Sequence, residues 1–82
     1  MKNLIITSAG RRVSLVKAFQ YELKALYPYA KVSAGDAQSK QSAACQVSSE
    51  SFQLPRLDVP GYINFLEELC NKEKIGVVIP TI

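Results

Sequence analysis

Four short strand-like segments, the first and last continuously apolar, alternate with segments of helical periodicity and leave this chain few folds to choose from. Leu4 to Thr7 is the first run, β-branched and bounded by Ser8-Ala9-Gly10. A run this brief, without polar alternation, suits a parallel strand covered on both faces. The period then changes. Val13, Leu15, Val16, Phe19, Leu23 and Leu26 recur mainly three and four residues apart, which predicts an amphipathic helix from Arg11 to Tyr27. Pro28 closes it, because proline cannot continue a helix and restricts the residue before it.

The same alternation repeats. Lys31 to Asp36 is a second strand built from small residues, which allow a helix or a ligand to approach closely. Ser39 to Cys45 is polar, then alanine-rich, and is expected to form one or two helical turns. Ser51 to Leu54 alternates polar and apolar, predicting a half-exposed third strand stopped at Pro55. Asp58-Val59-Pro60-Gly61 reads as a helix start, with Asp58 as N-cap and proline in the first turn. That helix would turn Tyr62, Leu66, Leu69 and Cys70 inward and Glu67, Glu68, Lys72 and Glu73 towards solvent. Ile75-Gly76-Val77-Val78-Ile79 is the fourth strand, continuously apolar and so expected in the centre of the sheet.

The order β-α-β-α-β-α-β predicts parallel strands joined by right-handed crossovers. A Rossmann-like, doubly wound α/β fold follows, with helices on both faces. It sets the two most apolar strands, the first and last, side by side in spatial order 3-2-1-4. With 82 residues the chain holds one lean domain spanning residues 1–82. No internal repeat or linker interrupts it.

Composition removes several functions. The chain has no histidine, and its two cysteines, Cys45 and Cys70, lie far apart. A Cys/His zinc site, a Cys–His nucleophile pair and a Ser–His–Asp triad are therefore impossible within it. Reduced, partly buried thiols are the plainer expectation, in a cytoplasmic protein. The net charge of +3 is spread along the chain, with only Arg11–Arg12 adjacent, so no basic stripe for nucleic acid is present. The apolar stretch Leu4-Ile5-Ile6 is too short for a signal peptide or a membrane span. Glu67, Glu68 and Glu73 read as a solvated helix face, not a catalytic pair. Tyr21, Tyr27 and Tyr29 are expected as packing residues flanking the first helix.

In an open parallel sheet, ligands bind beyond the carboxyl ends of the strands, where strand order reverses. Here that crevice lies between the first and fourth strands, at Thr7 to Arg12 and Pro80 to Ile82. Gly10 permits a tight turn, Ser8 offers a hydroxyl, and the helix that follows presents unpaired amides to an anion. Arg11 and Arg12, placed at the positive end of that helix, cost about 0.3–1 kcal/mol each unless an anion compensates them. Alternatively both guanidinium groups extend into water, which screens the penalty. Gly-x-Gly-x-x-Gly and Gly-x-x-x-x-Gly-Lys-Ser/Thr are both absent. Asp36 stands where an acidic residue would grip a ribose, but without the glycines it reads better as a cap on the turn after the second strand.

These residues also carry a resemblance. Asn3-Leu4-Ile5-Ile6-Thr7-Ser8-Ala9-Gly10-Arg11-Arg12-Val13, with Leu15 to Phe19, is similar to the start of the ATP-grasp proteins related to the carbamoyl-phosphate synthase large subunit. Leu54-Pro55-Arg56, Tyr62-Ile63, Cys70 to Ile75 and Val77 to Ile82 resemble the same family further on. The resemblance implies an N-terminal, pre-ATP-grasp domain of an ATP-dependent carboxylate–amine ligase, inert alone. Such ligases phosphorylate a carboxylate with ATP and magnesium and let an amine attack the acyl phosphate. Their nucleotide and metal ligands lie downstream, so no cofactor and no catalytic residue is expected within these residues. Ser8, Gly10, Arg11, Arg12 and Thr81 are the positions that match, as a wall on the substrate side of the cleft. The implied partners are the remainder of the same chain and, in the parent, a small-molecule substrate.

The chain departs from the family by ending on an apolar strand, which suggests a fragment of a longer protein whose exposed sheet edge favours self-association. Two other classes remain: a dinucleotide-binding domain of a dehydrogenase or epimerase, and a small non-enzymatic α/β interaction module. The first lacks its glycines here. The second ordinarily carries acidic residues where this chain has arginines.

Overall fold

The computed structural model describes residues 3–81. Its elements are β1 (Asn3–Thr7), α1 (Val13–Leu26), β2 (Val32–Asp36), a 3-10 turn (Ser39–Gln41), α2 (Ala43–Val47), β3 (Glu50–Gln53), α3 (Tyr62–Glu73) and β4 (Ile75–Pro80). All strand pairs are parallel, in the order β3-β2-β1-β4. The α/β fold and strand order are those the alternating periods predict.

Two layers of side chains leave the sheet in opposite directions, because successive strand residues alternate faces. Leu4 and Ile6 of β1 join Val32 and Ala34 of β2, Val16 of α1, and Ala44 and Cys45 of α2 in one buried cluster. Ile5 points the other way. There it meets Gly35, whose missing side chain lets Leu54 settle on the sheet: a Cβ at position 35 would lie 2.6 Å from Leu54 Cδ1 and 3.4 Å from Ile5 Cδ1. The small residues of β2 thus admit Leu54, the residue following β3. α1 and α2 pack together on the first face. α3 crosses the second face, with Tyr62 buried and Leu66, Leu69 and Cys70 half-buried.

β4 is not central. Among the described residues it pairs with β1 alone and forms one border of the sheet, leaving Val77 45% and Val78 36% exposed. An unbroken apolar run indicates two faces intended for burial, but it cannot say whether a fifth neighbour is present. Asn3 pairs with Ile75 and Leu4 with Val77, so Gly76 is the extra residue of a bulge. The half-exposed alternation of β3 agrees with its place at the other border.

Helix starts also shift. α1 begins at Val13 with Arg12 as N-cap, so the two arginines precede the first turn instead of lying in it. α3 begins at Tyr62, and Asp58 does not cap it. Val59-Pro60-Gly61-Tyr62 forms a turn closed by the Tyr62 amide to the Val59 carbonyl at 3.3 Å, with Gly61 at φ 89° and ψ 4°. Proline then glycine at its two central positions is the type II pattern, and the left-handed glycine ends the turn before the helix can start. Tyr21 and Tyr29 are 78% and 97% exposed, so they are not packing residues. Glu73, expected in solvent, is half-buried at the end of α3. Both cysteines are free thiols.

Candidate functional site

β1 ends at the carboxyl edge of the sheet, and the loop that leaves it is bent twice into left-handed backbone, at Ser8 (φ 53°) and Gly10 (φ 50°). Glycine adopts this freely. Serine does so at a cost of about 1–3 kcal/mol, which the surroundings must offset. Here they do. The Ala9 amide donates to the Gly35 carbonyl at 3.1 Å, and the Ser8 carbonyl accepts from the Thr81 hydroxyl at 2.7 Å. The same hydroxyl lies 2.9 Å from the Thr7 carbonyl oxygen, so one proton serves two acceptors.

Gly10 is held on both of its polar groups. Its amide donates to Asp36 Oδ1 at 3.3 Å, and its carbonyl accepts from Ser42 Oγ at 2.6 Å and from the Ala44 amide at 3.1 Å. Asp36 Oδ2 accepts from the Gln38 amide at 2.9 Å. Each carboxylate oxygen therefore braces a turn, as the capping reading of Asp36 requires and a ribose-gripping one does not.

The five residues singled out for an anion meet at this edge. Thr7 is in register with Pro80, which brings Thr81 beside Ser8. Arg12 Nη2 donates to the Thr81 carbonyl at 3.1 Å, so this guanidinium ties the first loop to the end of β4. The Arg11 guanidinium is exposed and has no hydrogen bond or ion pair to any described residue. No side chain among the described residues caps α1, and its first turn holds no acidic residue. The amides of Arg11, Ser14 and Leu15 have no partner among the described residues. Unpaired amides beside a cation are the chemistry that receives a carboxylate or phosphate.

Three open grooves surround Ser8. One, about 680 Å3, runs over Ser8 to Arg12, Ser14 and Leu15. A second, about 630 Å3, lies between Gly10, Asp36 to Gln38, and Leu54 to Asp58, with Tyr62 on its wall. The third, about 580 Å3, is apolar and runs between Thr7, Val78 and Pro80 on one side and Leu57, Val59, Ile63 and Leu66 on the other. Among the described residues no group of three or more histidine, cysteine, aspartate or glutamate side chains could hold a metal ion.

Sequence reasoning missed Ser42 and Gln53. Ser42 caps α2, its Oγ accepting from the Cys45 amide at 3.1 Å; a serine before Ala-Ala-Cys carries that signal, but its reach to Gly10 does not show in the sequence. Gln53 Oε1 accepts from the amide and hydroxyl of Ser39 at 3.2 and 3.0 Å, and its amide donates to the Ala37 carbonyl, fastening the 3-10 turn to β3. Away from the edge, burial pushes the thiols of Cys45 and Cys70 up from their ordinary range, the Ser42 contact opposing this for Cys45. The hydrogen bond and charge of Glu50 raise the Lys31 ammonium.

An open parallel sheet with its crevice at the β1/β4 edge defines a Rossmann-like domain. The family model for the PylC-like N-terminal domain matches residues 4–82, and the chain belongs to that family. It is a family of pre-ATP-grasp domains, the N-terminal domains of ATP-grasp ligases. Comparison with curated proteins gives no match. No helix among the described residues is long and apolar enough to cross a membrane.

Proposed function

We propose that this chain forms the substrate side of an ATP-dependent carboxylate–amine ligase related to the carbamoyl-phosphate synthase large subunit, and that Ser8, Gly10, Arg11, Arg12 and Thr81 receive an anionic group of its substrate. One observation carries this reading. The amides of Arg11, Ser14 and Leu15, unpaired among the described residues, open beside a guanidinium likewise without a partner among them, on a loop that three other elements hold in place. Such a preformed cradle binds charge without paying to reorganise, which is how a supporting wall contributes to catalysis done elsewhere.

ATP and magnesium would be bound by the remainder of the same chain, in the cytoplasm, and the 82 residues would be inert alone. The exposed apolar strip of β4 and α3 supports a partner there: that remainder in the parent protein, or a second copy of the isolated chain. Calorimetry and a phosphate-release assay test the reading. Neither ATP hydrolysis nor tight ATP binding is expected. Micromolar ATP binding to these 82 residues would overturn it.

A further inference from the structure

We infer that Ser42 is a positioning residue for the Gly10–Arg11 peptide, aiming the Arg11 amide into the anion cradle; the inference rests on the reading of that cradle given above. Ser42 is 4% exposed and bonds across 32 residues to the Gly10 carbonyl at 2.6 Å. The Ala44 amide reaches the same oxygen at 3.1 Å, so the N-cap and first turn of α2 supply the two donors. In a planar trans peptide the carbonyl and the following N–H point in opposite directions, and no peptide bond described here is cis. Drawing the Gly10 oxygen towards α2 therefore turns the Arg11 N–H away from α2. The groove over Ser8 to Arg12, Ser14 and Leu15 has no α2 residue in its lining, and the Arg11 amide has no partner among the described residues.

The pin is needed because of glycine. Gly10 sits at φ 50°, and among the described residues a Cβ there would meet only the Ser8 oxygen, at 3.9 Å. Gly10 has no side chain of its own to resist rotation of this peptide, and glycine populates both signs of φ. A flipped peptide would present its carbonyl oxygen to the cradle, where it repels an anion. The hydroxyl of Ser42, whose bond is shorter than that of the Ala44 amide beside it, selects between these two arrangements.

The test uses 15N-labelled chain titrated with inorganic phosphate and followed at the Arg11, Ser14 and Leu15 amides. Ser42→Gly removes the donor while glycine still serves as an N-cap at small cost, so α2 is retained. Its expected result is phosphate binding weakened about five- to tenfold, the size of one lost hydrogen bond. Without phosphate, the Arg11 amide should show new millisecond exchange. Ser42→Thr keeps the hydroxyl and should restore both. Ser48→Ala is the control: Ser48 Oγ bonds the Cys45 and Glu50 carbonyls at the far end of α2, so its loss should leave the Arg11 amide unchanged.

Equal effects of Ser42→Gly and Ser48→Ala, or an Arg11 amide indifferent to Ser42→Gly, would overturn the inference. Absence of phosphate binding in the unaltered chain would instead overturn the cradle. The exchange comparison between Ser42→Gly and the unaltered chain would then still decide whether Ser42 orients the peptide.

Discussion

The hydroxyl of Thr81 lies 2.7 Å from the carbonyl oxygen of Ser8, a residue 73 positions earlier that holds left-handed backbone. This bond joins the loop after β1 to the residue after β4 at the carboxyl edge of the sheet. It helps a serine remain where glycine would be at ease, and it fixes one wall of the proposed anion cradle.

Thr81→Val removes the hydroxyl at nearly constant volume and leaves the Ser8 carbonyl without this donor. Urea unfolding should show a loss of about 1 kcal/mol, the usual net worth of such a bond, while Thr81→Ser should stay within about half of that. Equal stability of the valine and serine variants would remove the bond from any role in holding the loop.

Gly35→Ala should destabilise by about 1–3 kcal/mol, because the added methyl meets Leu54 Cδ1 at 2.6 Å and Cγ at 2.9 Å. Leu54→Ala alone should cost about 2–5 kcal/mol through the cavity it leaves. In the double variant the clash is gone, so the combined loss should fall short of the sum. Strict additivity in the unfolding free energies would show that the two positions do not touch.

Lys74 terminates α3 at φ 58°, a left-handed C-cap that costs a residue bearing a Cβ. Lys74→Gly should therefore stabilise by about 0.5–1 kcal/mol in thermal or chemical unfolding. Gly61→Ala should do the reverse by a similar amount, since φ 89° strains alanine although no atom lies within 4 Å of the new methyl. Stabilisation by Gly61→Ala would refute the turn assigned to Val59–Tyr62.

Burial raises the folded-state pKa of both Cys45 and Cys70. The folded chain thus keeps thiol protons that the unfolded chain releases. Their contribution to stability is complete below the ordinary thiol range, and it declines as pH rises from there through the folded-state values. Denaturation midpoints of the unaltered chain should fall more steeply above about pH 9 than those of Cys45→Ala/Cys70→Ala. Cys45, 4% exposed, should also react with a thiol reagent more slowly than Cys70. Parallel pH profiles for the two proteins would contradict the burial account.

The bare border at β4 should make the isolated chain self-associate with rising concentration, as read by sedimentation. Val78→Lys places a charge on that border and should hold the chain monomeric. A monomer at every concentration in the unaltered chain would show that the edge is already blunted.

The strand order was legible because Leu4 to Thr7 and Ile75 to Ile79 lack polar alternation while Ser51 to Leu54 shows it, and because crossovers have one hand. The crevice followed from that order. Legibility failed where local signals compete. Asp58 and Pro60 resemble a helix start, yet Pro60-Gly61 is also a turn, and Gly61 settled the matter by going left-handed. The tyrosines near the end of α1 failed for a different reason: aromatic character indicates a capacity to be buried, and nothing packs over Tyr21 or Tyr29 among the described residues.

The sequence by itself determined the α/β class, the parallel order, the edge at which Ser8 to Arg12 and Thr81 would meet, and the chemistry excluded by a chain without histidine. Those properties depend on period and composition, which are local or additive along the chain. Only the tertiary structure decided that Asp36 braces Gly10, that Ser42 reaches the Gly10 carbonyl, and that Arg12 clasps Thr81. Each of these bonds spans 26 residues or more, and a hydrogen bond of that range exists only when packing brings both partners within about 3 Å, a condition no window of sequence contains.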